Sequence, residues 1–169
     1  QLRREFLYFS HVSDGVTSAG RNRGQFDAEE VFSIFKRYER LEFVIPNTAF
    51  YFDPEHPLAR AAAANLSSAV VASEPVIASD EGGYLVSAGN LFLREAFMQV
   101  KPSPGSDGKS VLGKLSEPKT KFMGWGSFPR NTFFNVEYVF ENPSPPRMDA
   151  ETKQAGDMAD PRYVSIRVQ

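Results

Sequence analysis

Residues Thr132 to Glu141 carry the longest clean period-2 pattern in the chain, with Phe134, Val136, Tyr138 and Phe140 alternating with Phe133, Asn135, Glu137 and Val139. Successive side chains of a strand point to opposite faces, so this pattern predicts a strand whose apolar face has to be covered by other elements. A chain built around such a strand needs partners for its backbone on both sides. The rest of the sequence supplies them. Phe6 to Val12 reads as a strand rich in aromatics. Val31 to Tyr38, a tight turn near Glu39-Arg40, and Leu41 to Ile45 read as a hairpin. Val76-Ile77-Ala78 and Tyr84-Leu85-Val86 flank Asp80-Glu81-Gly82-Gly83, whose paired glycines supply the positive φ of a hairpin turn. Ala49 to Phe52 reads as a short strand, Lys119 to Trp125 leads through Gly124, Gly126 and Pro129 into the long strand, and Arg162 to Val168 closes the set.

Two stretches follow the helical period instead. Pro57 stands where a first turn tolerates proline, and Leu58, Ala61, Ala62, Leu66, Ala69 and Val70 recur at 3-and-4 spacing, which predicts an amphipathic helix over about 57–72. Leu91, Phe92, Glu95 and Met98 share one face of a second short helix over about 90–98, with Asn90 as its cap. Lys101 to Lys109 has no apolar anchor and predicts a mobile loop at about 101–110, and the prolines at 143, 145, 146 and 161 mark a long Pro-rich excursion at about 142–161. Strands in hairpins with few helices give an α+β fold, a single domain dominated by antiparallel β-sheet.

A chain of 169 residues suits one domain, since domains usually hold about 100–150 residues. With 41% hydrophobic and 13% aromatic residues it can fill a core, and a formal charge of −2 provides no overall field for nucleic acid. The absence of cysteine excludes disulfides, cysteine-based zinc sites and thiol nucleophiles. No apolar run approaches the ~20 residues that a membrane-spanning helix requires. The strand-like ends, Gln1 to Phe6 and Val164 to Gln169, suggest a piece of a longer polypeptide with sequence missing on both sides.

Few residues point to chemistry. His11 and His56 are far apart and lack any metal-ligand spacing. The loop Gly15 to Gly24 lacks the Gly-Lys-Ser/Thr ending of a phosphate cradle; its Arg21 and Arg23 read either as solvated loop charge or as a fork for a carboxylate on a neighbouring domain. Asp80-Glu81 fits turn chemistry rather than an acid/base pair, and Asp149, Glu151, Asp157 and Asp160 fit solubility. Trp125, with Phe122, Phe128, Phe133 and Phe134, reads either as core packing, the commoner fate, or as a platform for a sugar or peptide. The sequon Asn65-Leu66-Ser67 falls inside the predicted helix.

Four stretches, in this order, carry a resemblance. They are Arg4-Glu5-Phe6-Leu7-Tyr8 with the loop ending Arg23-Gly24-Gln25 and then Val31 to Tyr38; Phe43-Val44-Ile45-Pro46-Asn47-Thr48-Ala49-Phe50 with the Ala-rich segment after it; Phe128-Pro129-Arg130-Asn131-Thr132; and Asp160-Pro161-Arg162-Tyr163-Val164-Ser165-Ile166-Arg167. Together they resemble a domain of unknown function that precedes the catalytic domain in large exported bacterial zinc-dependent, metzincin-like metalloproteases. The chain departs from it at Arg21-Asn22-Arg23-Gly24, where that family tends to carry Leu-Asp-Arg-Gly, and matches it poorly over Lys101 to Leu115 and after Asn142.

The resemblance implies a non-catalytic accessory domain that packs on, or presents substrate to, a C-terminal catalytic domain holding the H-E-x-x-H helix and its zinc. It implies no catalytic, cofactor or metal residue in this chain, neighbouring domains and a peptide substrate as partners, no nucleic acid, and export to the periplasm or cell surface. Contact candidates are Arg21, Arg23, Arg130 and Asn131, in or beside Gly/Pro-punctuated loops, together with Trp125; Arg130 and Asn131 read equally as caps of the turn into the long strand. The rivals are a free-standing extracellular glycan- or peptide-binding module, which an exposed Trp125 would favour, and an enzyme using a His or carboxylate site. An interdomain role predicts an apolar patch left exposed in the isolated domain.

Overall fold

A computed structural model describes residues 2–100, 112–145 and 158–169. The expected loop at 101–110 and residues 146–157 of the Pro-rich excursion lie outside the described residues. In chain order the elements are β1 (Glu5–Asp14), a 3-10 turn (Thr17–Ala19), β2 (Phe26–Arg37), β3 (Arg40–Ile45), α1 (Ala59–Asn65), β4 (Ala69–Pro75), β5 (Ala78–Asp80), β6 (Gly83–Leu85), α2 (Gly89–Phe92), β7 (Lys114–Leu115), β8 (Lys121–Ser127), β9 (Thr132–Glu141) and β10 (Tyr163–Val168). The fold is α+β and mostly antiparallel sheet, as the alternating patterns predict. The chain divides into two compact units, residues 1–8 with 30–91 and residues 9–29 with 92–169; β1 and β2 contribute residues to each.

In the first unit β3 lies between β2 and β4. The β2–β3 hairpin turns where the sequence places it, with Arg37 opposite Arg40, and Tyr38 takes a positive φ in the turn. Leu41, Phe43 and Val44 are buried, and Phe32 stacks on Phe6 at 5.4 Å and meets Phe43 at 6.0 Å. The expected hairpin forms about Asp80 to Gly83, with its strands at 78–80 and 83–85 rather than 76–78 and 84–86, but neither Gly82 nor Gly83 takes the positive φ expected of it; the turn is closed instead by Asp80 Oδ1, which accepts the amides of Gly82 (2.7 Å) and Gly83 (2.9 Å).

The helix expected over 57–72 is cut to Ala59–Asn65, and residues 69–75 form β4 instead. The alanines favour helix locally, yet none of the α1 residues is buried, so no packing rewards its extension. Leu66 turns to extended backbone, and β3 then recruits the following segment, pairing Ile45 with Ala69 and Arg40 with Pro75. The ladder with β3 outweighs the 3-and-4 spacing that Ala69 and Val70 continue. Ala49 to Phe52 forms no strand; the side chain of Asn47 accepts the Ala49 amide and that of Asp53 accepts the Glu55 amide, turning the backbone on either side.

The second unit is built on β9. β10 runs antiparallel along its C-terminal part, from Val168 opposite Val136 to Tyr163 opposite Glu141, and β1 continues the order beyond β10 with Val12 opposite Val168. On β10, Val164, Ile166 and Val168 are buried while Tyr163, Ser165 and Arg167 are exposed. These valines and Ile166 meet Val136, Tyr138 and Phe140 from β9, with Val12, Ala19, Val100 and Leu112, in one apolar cluster. Each fully buried aliphatic or aromatic side chain there contributes about 1.5–3 kcal/mol. The other face carries charge beside the buried Val139: Glu137 pairs with Lys121 (2.8 Å) and Arg167 (3.2 Å), which hold its carboxyl below the usual range.

The helix expected over 90–98 also stops early, at Phe92. A continuing helix would bond the Phe92 carbonyl to the Ala96 amide. That carbonyl instead accepts the Tyr138 hydroxyl at 2.5 Å, and the Ala96 amide bonds Arg94. Asn90 does not cap; its side-chain amide donates to the buried Glu74 at 3.0 Å. Residues 93–100 descend as turns that bury Phe97, Gln99 and Val100.

Candidate functional site

β9 is paired differently at its two ends. Residues 136–141 have β10 beside them, whereas Thr132 to Asn135 pair with β8 alone among the described residues. The β8–β9 hairpin therefore extends past β10 as a two-stranded arm. Its tip is the turn Phe128-Pro129-Arg130-Asn131, closed by the Phe128 amide on the Asn131 carbonyl (2.8 Å) and by the facing hydroxyls of Ser127 and Thr132 (3.1 Å).

The apolar face of β9 runs out along this arm. From the buried Phe140, Tyr138 and Val136 it passes to the half-buried Phe134, which meets Phe92 at 4.5 Å and Phe122 at 5.8 Å. Trp125 lies opposite Phe134 in the ladder and is 71% exposed. On the opposite face the Phe133 ring occupies the space a Cβ on Gly126 would need, and Phe128, 59% exposed, stacks on it at 6.1 Å. Met123 is exposed at the bulge between Phe122 and Gly124. Core packing, the commoner fate of such a cluster, does not take in Trp125. The arm presents apolar rings on both faces with exposed Arg130 and Asn131 at its end. Such a surface suits another apolar or ring-bearing surface, since large rings lose little conformational freedom when covered.

The loop arginines lie elsewhere and differ from each other. Arg23 is exposed, while Arg21 is 4% exposed and pairs with Asp27 at 3.5 Å inside its own unit. Neither a solvated Arg21 nor one that reaches a neighbouring domain matches this burial. Gly15 makes the loop possible, because the Arg21 carbonyl lies where any Cβ at position 15 would fall. Gln25 donates to Asp27 at 3.1 Å. The third ionisable member is Glu95: burial raises its carboxyl to about 7, against the opposing pull of the Val100 amide and the Arg21 charge.

Sequence reading had no signal for Asp27. Glu95 did leave one, as the acid on the otherwise apolar face with Leu91, Phe92 and Met98.

His11 lies 6.1 Å from the Phe26 ring, and His56 accepts the Leu58 amide at 3.1 Å. Phe52, Asp53, His56, Leu58, Ala59 and Ala62 line a cavity of about 240 Å³ in the first unit, apolar apart from the two side chains already engaged in local turns. Among the described residues no three His, Asp or Glu side chains are grouped to hold a metal ion. No helix among them is long and apolar enough to cross a membrane. Comparison with known protein families, curated proteins and solved structures returned no match.

Proposed function

We propose that this chain is a non-catalytic accessory domain that docks a partner through the aromatic β8–β9 arm. The observation that carries the reading is the exposure of Trp125 at the end of a strip continuous with the core, where a monomer would gain by covering it. The partner is a neighbouring domain of the same polypeptide, against which the arm packs. The ordered resemblance described above supports assigning that neighbour to the catalytic domain of an exported bacterial zinc-dependent metalloprotease, with the zinc held there. Arg130 and Asn131 at the turn then meet the polar rim of the interface.

The same exposed indole also supports a second reading, a module whose Trp125 stacks on a sugar ring or a peptide side chain.

Trp125 is the chain's one tryptophan, so its fluorescence reports directly on the arm. In the isolated chain the emission is expected to be that of a solvated indole, readily quenched by acrylamide. Adding the neighbouring catalytic domain should blue-shift and protect it, and Trp125→Ala, which removes the fluorophore and is therefore followed by titration calorimetry, should weaken that association by at least about thirtyfold, the effect of a hot-spot side chain worth ~2 kcal/mol. Protection by soluble oligosaccharides or peptides, with none from the domain, transfers the conclusion to the second reading. An indole already shielded in the isolated chain defeats both.

A further inference from the structure

β10 stops while its neighbours on both sides go on. It pairs with β9 as far as Val168 opposite Val136, and on its other side Val168 stands opposite Val12 of β1. The last bonds on that side join His11 and Gln169, whose amides each donate to the other's carbonyl at 2.9 Å. Past this level β1 continues through Ser10 and Phe9, and β9 through Asn135 to Thr132. Two strands that flank a third are about 10 Å apart, so the end of β10 leaves a gap one strand wide within the second unit.

The phase of the ladders shows which backbone groups face that gap, because successive residues of a strand direct their amides and carbonyls to opposite sides. On β1 the Val12 amide bonds Gln25 on the β2 side while His11 bonds Gln169, so Phe9 faces the gap. On β9 the Asn142 amide bonds Arg162 on the β10 side, and the Asn131 carbonyl accepts the Phe128 amide on the β8 side. Thr132 and Phe134 therefore face the gap, and Phe133 and Asn135 face β8. Among the described residues no strand pairs with Phe9, Thr132 or Phe134 on this side. Such an edge accepts a further strand.

Rings line both surfaces of the gap. On the core side Phe134 is half-buried against Phe92. On the other side the exposed Phe9 meets the exposed Phe26 at 6.4 Å, and Phe133 stacks with Phe128.

We infer that the segment following Gln169 in the parent polypeptide continues β10 into this gap as an apolar strand bonded on both sides. The inference rests on the reading above that a further domain follows in the same polypeptide. Continuing the register places the first added residue opposite Phe134, with its side chain on the core side, and the second between Phe9 and Phe133 on the outer side. The first bonds Phe134, the second Phe9 and the third Thr132. Rings on both surfaces select apolar side chains for the first two. Covalent continuity favours this occupant over a free peptide, because Val168 and Gln169 already set the register and no association entropy is lost. The chain then leaves the domain alongside the arm that carries Trp125, toward the turn at Arg130 and Asn131.

The test compares amide exchange in three chains: residues 1–169, the same chain with about five of its own following residues, and the whole polypeptide. Phe9, Thr132 and Phe134 should exchange freely in the first and gain protection of about a hundredfold in the other two. Phe133 and Asn135, already bonded to β8, should not change. A gain shared by all five amides, as a covering surface would give, overturns the inference. So does protection of Phe9, Thr132 and Phe134 already present in residues 1–169, or protection that needs the whole polypeptide. If these amides stay unprotected while the catalytic domain still shields Trp125, this inference falls alone. A polypeptide with no domain after Gln169 removes the reading beneath it as well.

Discussion

The two ends of β9 have the same alternation and opposite fates. At the inner end Val136, Tyr138 and Phe140 are buried beside Val164, Ile166 and Val168 of the neighbouring strand; at the outer end Phe134 is half-buried and its ladder partner Trp125 is exposed. β9 itself runs as one unbroken strand through both ends. What changes is the number of neighbouring strands, since β10 flanks residues 136–141 and only β8 flanks 132–135. Periodicity decides which way a side chain points. Burial depends on whether a second layer or a further strand arrives there.

The largest effect should come from breaking the inner end. Phe140 is almost wholly buried, so Phe140→Ala should cost about 3–5 kcal/mol of stability in urea unfolding, the transfer loss plus the cavity. A loss under about 1 kcal/mol would make the inner end as undemanding as a surface site and remove the contrast. Tyr138→Phe sharpens it: the ring stays, but the Phe92 carbonyl loses its donor, for an expected loss of about 1–2 kcal/mol. Amide exchange in residues 93–100 should rise with it, because that bond anchors the last residue of α2, from which the turns begin.

The smallest effect belongs to the outer end. Trp125→Ala should shift unfolding by no more than about 0.5 kcal/mol, because an exposed side chain leaves no cavity, while it removes partner binding. A loss as large as that of Phe140→Ala would place Trp125 in the core and defeat the docking proposal.

The same distinction explains which parts of the fold were legible beforehand. The β2–β3 and β5–β6 hairpins and the long strand β9 follow from local pattern and turn chemistry, as with Asp80 capping Gly82 and Gly83. The two helices were legible only as tendencies. Spacing over 57–72 is compatible with a helix, yet the open ladder of β3 claims 69–75, and the second helix gives way to turns after Phe92, whose carbonyl accepts the Tyr138 hydroxyl. Both decisions come from residues distant in sequence.

The contact candidates divide in the same way. Arg130 and Asn131 lie in the turn that Pro129 announces, and Trp125 lies on the strand before it. The burial of Arg21 was not legible, because no spacing in the sequence marks Asp27 of β2 as its ion-pair partner.

By itself the sequence determined the alternation of faces, the places where the chain reverses, and the supply of aromatic side chains, since each depends on residues within a few positions of one another. Only the tertiary structure decided where both helices end, that Arg21 and Glu95 share a buried environment, and that the aromatic strip of β9 continues into solvent at Trp125. The physical reason is that burial and competition for backbone hydrogen bonds are set by neighbours brought in from elsewhere in the chain, and local pattern carries no record of which neighbours arrive.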